Sequence, residues 1–100
     1  AVMMVCYDIP VSDKETRRQY QRFLKFLKRA GYIRIQNSVV IKYLKNISSY
    51  KYELEFIKKY SPIKGSVLVW IMNFQRYAQV DVVRGVKPET DELRKQIIVL

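Results

Sequence analysis

The chain begins with a continuous apolar segment that ends in a carboxylate. Residues 2–7 are all apolar or aromatic, Asp8 follows them, and Pro10 comes two residues later. An uninterrupted apolar run that ends at a breaker is typical of a strand buried on both faces. Because Pro10 has no N–H for a sheet ladder, the pattern predicts a central strand that ends near Ile9, with Asp8 at its C-terminal end.

The next segment has the pattern of an amphipathic helix with one basic face. Ser12 and Glu15 have the spacing of a capping box, and Gly31 suits the left-handed conformation that ends many helices. At about 100° per residue, one arc is mainly apolar and consists of Thr16, Tyr20, Phe23, Leu24, Leu27 and Ala30. The opposite arc, which we call the basic stripe, consists of Lys14, Arg17, Arg18, Arg22, Lys25, Lys28 and Arg29. Like charges on one face cost stability unless an anion lies against them, so we interpret the stripe as a surface for a phosphate backbone.

The remaining segments predict a second helix and further strands. Residues 32–44 alternate between apolar and polar side chains, as in one half-exposed strand, with Asn37 as the candidate for a bulge. A cap at residues 46–49 begins a second helix, which ends before Pro62. The other predicted strands are 66–74 (apolar on both faces), 78–84 (alternating, as at a sheet edge) and 95–100, with connections at 75–77 and 85–91.

Together these elements predict an α+β fold. Two apolar strands, the first and third, and two alternating strands, the second and fourth, fit a ferredoxin-like β-α-β-β-α-β sandwich with both helices on one face. The additional C-terminal strand has no place in a four-stranded plan. Since a terminal apolar strand commonly joins the edge of a partner's sheet, we expect a single domain over residues 1–100 whose last strand is exchanged in a homodimer.

The composition excludes several kinds of chemistry. The chain has no histidine, which removes His-based acid–base catalysis and imidazole metal ligands. Its single cysteine, Cys6, excludes an intramolecular disulfide and a CxxC metal site. No apolar run approaches the roughly 20 residues that cross a bilayer, and no signal peptide is recognisable. We therefore expect a cytoplasmic protein without a membrane partner.

The net charge indicates a polyanionic partner. Nineteen Lys and Arg residues against nine Asp and Glu residues leave a formal charge of +10 on 100 residues. A charge of this size favours nucleic acid or an anionic membrane surface. The segregated basic stripe favours nucleic acid over a surface that is merely solvated.

Asp8 has two possible uses at the end of its strand. It can cap the following turn through backbone N–H groups, or it can hold a divalent cation near a phosphate. Residue type and position alone favour the turn cap.

The aromatic residues of the second helix are also open to two interpretations. Tyr50, Tyr52, Phe56 and Tyr60 can stack on nucleobases, but aromatic residues at helical spacing more often belong to a core or an interface. An RNA-recognition domain shares the predicted element order, yet Ser66, Leu68 and Ile71 occupy the positions where its stacking aromatics belong. We therefore reject that domain.

Several short motifs, in this order, resemble one known family. They are Tyr7-Asp8-Ile9 at the end of the first strand, Arg17-Arg18 in the helix, and Gly31 followed by Arg34-Ile35-Gln36-Asn37-Ser38-Val39. The chain resembles the small CRISPR-associated protein of the spacer-acquisition complex, the partner of the CRISPR-associated integrase. The Asp-Ile-Pro turn and residues 38–44 look most like the variety found in type II systems.

The resemblance implies a partner set and a metal site. It implies a ferredoxin-like homodimer that exchanges its last strand, sits between two integrase dimers and holds the middle of a protospacer DNA duplex. Many members are described as magnesium-dependent endonucleases that act on single-stranded RNA or double-stranded DNA. By this resemblance, Asp8 and its copy in the second subunit would be the catalytic residues and would hold Mg²⁺.

The nucleic-acid contacts expected from the basic stripe and the resemblance together are Lys14, Arg17, Arg18, Arg22, Lys25, Arg34, Gln36 and Ser38. One departure puts catalysis in question, because many relatives have a glutamate soon after the Ser-Val pair, where Val40, Ile41 and Lys42 stand here. Two functions are therefore carried forward. The first is a DNA-binding scaffold subunit without sequence specificity, and the alternative is a Mg²⁺-dependent endonuclease that uses Asp8 from both subunits.

Overall fold

The computed structural model describes residues 1–85. Its elements are β1 (Val2–Asp8), α1 (Lys14–Arg29), β2 (Ile33–Gln36), β3 (Val39–Tyr43), α2 (Ser49–Tyr60), β4 (Ser66–Met72) and α3 (Phe74–Ala78). The strands form one antiparallel sheet in the order β2-β3-β1-β4. The element order through β4 is β-α-β-β-α-β, so the predicted α+β, ferredoxin-like fold is confirmed. The predicted strand 95–100, with its exchange between subunits, lies outside the described residues.

The segment 32–44 is a hairpin and not the single strand that we predicted. β2 and β3 pair antiparallel with Gln36 opposite Val39, and Asn37 and Ser38 form the turn between them. The odd-numbered positions are apolar on both arms, so a two-residue turn leaves the alternation unbroken. Periodicity therefore could not locate the reversal of the chain.

The predicted edge strand at 78–84 is also wrong. Residues 74–78 form α3, and no strand follows it up to residue 85. The Asn73 side chain begins this helix by accepting a hydrogen bond from the Arg76 N–H at 2.8 Å. The Tyr77 ring is buried against the sheet. This cap and this packing outweigh the short alternation of valines that follows.

The structure reassigns the central strands. β1 and β3 are central, whereas β4, which we expected to be central, lies at an edge of the described sheet. Apolar residues on both faces of β4 indicated burial on both faces. Within residues 1–85, one of those faces is instead largely exposed to solvent.

The N-cap of α1 is Asp13, one residue later than the cap that we predicted at Ser12. The Thr16 N–H donates to Asp13 Oδ1 at 2.8 Å, and the Asp13 N–H donates to Thr16 Oγ1 at 3.1 Å. The Thr16 N–H and the Thr16 hydroxyl, which both donate to Asp13 Oδ1, lower the pKa of the Asp13 carboxyl. The capping box is therefore Asp13 with Thr16 in place of Ser12 with Glu15.

Both helices cover the same face of the sheet and make the main core there. Met3, Val5 and Tyr7 of β1 pack with the following helical residues: Phe23 and Leu27 of α1 and Ile57 of α2. On the other face, Tyr77 of α3 packs with Val2 and Ile41. None of the helices within residues 1–85 has the length and apolar character needed to cross a membrane.

An ion pair between β3 and α2 is largely shielded from solvent. Lys42 and Glu53 are 23% and 13% exposed in their side chains, and Lys42 Nζ lies 5.4 Å from the centroid of the Tyr32 ring. Removing one partner leaves the other charge poorly solvated. We expect Glu53→Gln to lower the free energy of unfolding by about 2 kcal/mol, measured by urea denaturation.

The matched control for this prediction is Glu55→Gln. Glu55 pairs with Lys58 at 3.5 Å on the exposed surface of the same helix. Exposed pairs contribute about 0–1 kcal/mol, so this substitution should change stability little. Equal losses in the two variants would show that the pair with Lys42 is no better than a surface contact.

Candidate metal site and nucleic-acid surface

Asp8 is the last residue of β1 and lies opposite Ser66 of β4. Its side chain is exposed, and within residues 1–85 its carboxylate accepts no hydrogen bond. The turn cap that sequence alone favoured is therefore not formed. A carboxylate free of local partners keeps all its oxygen lone pairs for an external ligand.

The direction of the Asp8 side chain follows from the alternation along β1. Met3, Val5 and Tyr7 face the two helices, so Met4, Cys6 and Asp8 belong to the opposite face of the sheet. Asp8 and the basic stripe of α1 consequently occupy opposite sides of the sheet. We had expected Asp8 to lie close to the basic helix. The structure places both at the end of the molecule where β1 leads into α1, but on different sides of the sheet.

The polar residues predicted around Asp8 gather at this same end of the sheet. The Tyr7 N–H donates to the Ser38 carbonyl oxygen at 3.0 Å, and the Tyr7 hydroxyl donates to the Asn37 carbonyl oxygen at 3.2 Å. Burial raises the pKa of Tyr7, and the Arg34 guanidinium beside its hydroxyl opposes that rise. Gln36 ends β2 next to this turn. Thus Arg34, Gln36 and Ser38 all border the end of β1, but Arg34 lies beside Tyr7 on the helix side of the sheet and Asp8 lies on the opposite face.

Gly65 allows its turn to approach the backbone of Asp8 closely, a role that the sequence did not reveal. A Cβ atom at Gly65 would lie 2.5 Å from the Asp8 carbonyl oxygen and 3.0 Å from the Ile9 Cα. The φ angle of Gly65 is +103°, which also favours glycine. The Lys64-Gly65 dipeptide signals a turn, but only the tertiary structure shows that this turn abuts Asp8.

Among residues 1–85, no helix covers one half of the sheet face that carries Asp8. Leu68 and Trp70 of β4 are 60% and 41% exposed, and Cys6 between them and β3 is partly buried. Burial raises the pKa of the Cys6 thiol. We call Cys6, Leu68 and Trp70 the open apolar face. It adjoins Asp8, because Leu68 pairs with Cys6 and Ser66 pairs with Asp8.

All seven residues of the basic stripe are exposed along α1. Arg18 contacts Glu15 at 3.0 Å, but both side chains are more than half exposed, so this pair contributes little. The other six cations form no ion pair with a carboxylate in the described part of the chain. The stripe therefore presents a nearly uncompensated positive surface that suits a row of phosphates.

The residues that follow the Ser-Val pair, where the resemblance leads one to expect a glutamate, lie away from Asp8. Val40, Ile41 and Lys42 pair with Val5, Met4 and Met3 of β1. Lys42 pairs with Met3 in the sheet, at the opposite end of β1, and its charge is matched by Glu53. Within residues 1–85, no cluster of three or more His, Cys, Asp or Glu residues could hold a metal ion. Asp13 and Glu15, at the nearby start of α1, are engaged with Thr16 and with Arg18 and Gln19. Within residues 1–85, Asp8 is therefore the carboxylate near this end of the sheet that remains available to a metal.

Comparison with known proteins agrees with the fold and with the motif order. Residues 1–80 match the family model described as CRISPR associated protein Cas2. The chain is 32% identical over 85 residues to a Ligilactobacillus salivarius protein named CRISPR-associated endoribonuclease Cas2, covering 85% of this chain and 84% of that relative. A Treponema denticola protein of the same name is 31% identical over 83 residues, covering 83% and 82%. The crystal structure of Streptococcus pyogenes Cas2 has the same fold, with a TM-score of 0.64 at 15% identity, covering 84% of this chain and 100% of that one.

Proposed function

Since the chain belongs to the CRISPR-associated Cas2 family, we propose that it is a metal-dependent endoribonuclease that acts as a homodimer through Asp8. The observation that carries this proposal is the exposed Asp8 carboxylate, which has no hydrogen-bond partner in residues 1–85 and adjoins the open apolar face. The relatives named endoribonucleases support RNA as the substrate. This assignment favours the endonuclease, which the sequence analysis gave as the alternative, over the DNA-binding scaffold that it placed first.

The open apolar face supports the homodimer. Leu68 and Trp70 expose apolar surface that a second copy of the chain would bury. A two-fold interface is self-complementary, so each subunit contributes the same patch. Because Asp8 lies on this face at the edge of the patch, such an interface would direct the carboxylates of both subunits toward it.

Two chains together would offer Mg²⁺ a pair of carboxylates. Carboxylate oxygens are the hard ligands that Mg²⁺ prefers, and the ion commonly binds through one or two carboxylates while it retains several waters. Asp8 and the partner's Asp8 would hold it. When bound, the ion supplies charge neutralisation at the scissile phosphate and activates a water molecule.

The residues of the chain itself would position RNA and the carboxylate. Gly65, which has no Cβ, lets the turn before β4 pack against the Asp8 backbone. Arg34, Gln36 and Ser38 border the same end of the sheet and offer donors for phosphate and ribose oxygens. The experiment that tests this function compares RNA cleavage by the parent and by Asp8→Asn, with and without Mg²⁺.

The basic stripe favours a second function on the other side of the molecule. We propose that it binds duplex DNA without sequence specificity, as expected of a scaffold subunit that bridges integrase dimers and holds a protospacer. Its exposed cations, six of which have no carboxylate partner within residues 1–85, support contacts with a phosphate backbone. Since α1 and Asp8 lie on different faces of the sheet, the proposed metal site and the proposed duplex surface are separate.

Charge reversal on the stripe tests this second function. We expect Arg18→Glu with Arg22→Glu to weaken duplex binding about tenfold or more at moderate salt, equally for all sequences, because fewer counterions are released. The parent affinity should also fall steeply with salt. Fluorescence anisotropy with two unrelated duplexes measures both effects.

The control carries the same charge change on α2, as Lys51→Glu with Lys59→Glu. Both lysines are exposed and lie off the stripe. Equal weakening by the two double variants would mean that only the net charge matters, and the stripe would then not be the duplex surface.

A further inference from the structure

A cleft of about 210 Å³ lies between the first half of α1 and the connection from α2 to β4. Its α1 wall consists of Glu15, Arg18, Gln19 and Arg22, and its other wall consists of Tyr60, Ser61, Pro62 and Ile63. The sequence placed Arg18 and Arg22 on the basic stripe but gave no sign that a pocket lies beside them.

Both walls of the cleft are held in place by contacts within the fold. The Ile63 N–H donates to Gln19 Oε1 at 3.2 Å, and Gln19 Nε2 donates to Glu15 Oε1 at 3.2 Å. The Tyr60 ring stacks on Phe26 with 4.4 Å between ring centroids. The α2–β4 connection is therefore tied to α1 at the base of the cleft, and the cleft is formed before any ligand binds.

The two walls differ in chemistry. On one side Arg18 is paired with the Glu15 carboxylate, whereas Arg22 has no carboxylate partner within residues 1–85 and supplies the uncompensated positive charge. Tyr60, Pro62 and Ile63 supply an aromatic and apolar side, and Ile63 is 89% exposed. A ligand that satisfies both walls has a flat, weakly polar part next to an anionic part. A nucleotide has this combination.

The accessibility of the base decides whether a paired or an unpaired nucleotide can enter the cleft. Bases in a duplex are stacked and paired, so they cannot leave the helix to enter a side cleft at low cost. Unpaired bases of a single strand are free to pack on aromatic and apolar side chains. The cleft can take one such base, whereas the rest of the stripe offers only contacts to phosphates.

We propose that this cleft holds one unpaired nucleotide of single-stranded RNA, with its base against Tyr60, Pro62 and Ile63 and its phosphate at Arg22 and Arg18. This rests on the proposed RNA substrate and adds to it a subsite for one nucleotide outside the metal site. The cleft lies at the Asp8 end of the molecule: Ile63 is two residues before Gly65, which abuts the Asp8 backbone. At ~3.8 Å between consecutive Cα atoms, the rim of the cleft is within about 8 Å of Gly65.

The test uses two probes with equal charge. A fluorescently labelled oligouridylate is compared with an abasic oligoribonucleotide of the same length, by anisotropy and without divalent cation. We expect the parent to bind the oligouridylate about tenfold more tightly, because stacking of the base adds to the shared phosphate contacts. Ile63→Ser, which changes an exposed side chain without changing charge, should remove most of this preference. Equal binding of both probes by the parent, or an unchanged preference in Ile63→Ser, would overturn the proposal.

A matched pair of variants tests the cationic wall. Arg22→Gln and Arg29→Gln each remove one charge from the exposed side of α1, but only Arg22 lines the cleft. We expect Arg22→Gln to weaken oligouridylate binding about fivefold more than Arg29→Gln. Equal weakening would count against the cleft.

These binding measurements are independent of the metal site. Asp8→Asn should keep the preference for the oligouridylate over the abasic probe. If cleavage by the parent were absent while the preference remained, the proposed nuclease would fail and the cleft would stand. If cleavage were present without the preference, the cleft would fail and the nuclease would stand.

Discussion

Asp8→Asn is expected to reduce Mg²⁺-dependent RNA cleavage by about 10²-fold or more. Asparagine has nearly the same size and retains one carbonyl oxygen, but it lacks the negative charge that a hard cation requires. The Asp8 side chain has no hydrogen bond within residues 1–85 and is exposed. Stability, self-association and RNA binding should therefore remain close to those of the parent.

The measurement is a paired assay on one preparation of each variant. RNA and DNA cleavage are followed with and without Mg²⁺, and spacer integration is followed with the integrase added. Asp81→Asn is the matched control, since Asp81 is an exposed aspartate far along the chain from the site. Undiminished cleavage by Asp8→Asn would show that Asp8 is not the metal ligand.

Integration separates the two proposed functions. We expect it to survive in Asp8→Asn, because duplex binding is assigned to the basic stripe on the other face of the sheet. Loss of integration together with cleavage, in a variant that still folds and self-associates, would make the metal site integral to both functions.

Much of the architecture around Asp8 could be predicted from local patterns. The apolar run before Pro10 placed Asp8 at a strand end, where the structure has it. The 3.6-residue period of α1 separated Phe23 and Leu27, which are buried, from the cations, which are exposed. These features depend on residues close in sequence, so a single sequence is sufficient to reveal them.

The features that sequence could not reveal depend on contacts between distant segments. The approach of Gly65 to Asp8 and the hydrogen bond from Ile63 to Gln19 join segments that are more than 40 residues apart. Leu68 and Trp70 could not be recognised as exposed, because a strand that is apolar on both faces has the same pattern whether the second face is covered by helix or by a partner. Similarly, the type and position of Asp8 in the sequence favour a turn cap, and only the structure shows that this cap is not formed.

Leu68→Asp is expected to convert the proposed homodimer to a monomer. Leu68 is 60% exposed at the open apolar face and lies opposite Cys6, next to the pair of Asp8 and Ser66. In the proposed interface its partner is the same apolar patch of a second copy, so two unpaired carboxylates would be buried together. A cost of about 3–4 kcal/mol corresponds to a dissociation constant raised by roughly 10²–10³-fold.

Sedimentation and RNA cleavage on the same samples test this expectation. Ile47→Asp is the matched control, because Ile47 is an aliphatic residue 72% exposed beside α2, away from the sheet face. Leu68→Asp should lose both the dimer and the cleavage, since the two Asp8 carboxylates no longer meet, while Ile47→Asp should lose neither. A dimeric and active Leu68→Asp would show that the open apolar face is not the interface. A monomeric variant that still cleaves RNA would show that one subunit is sufficient, and that the metal is not shared between two copies of Asp8.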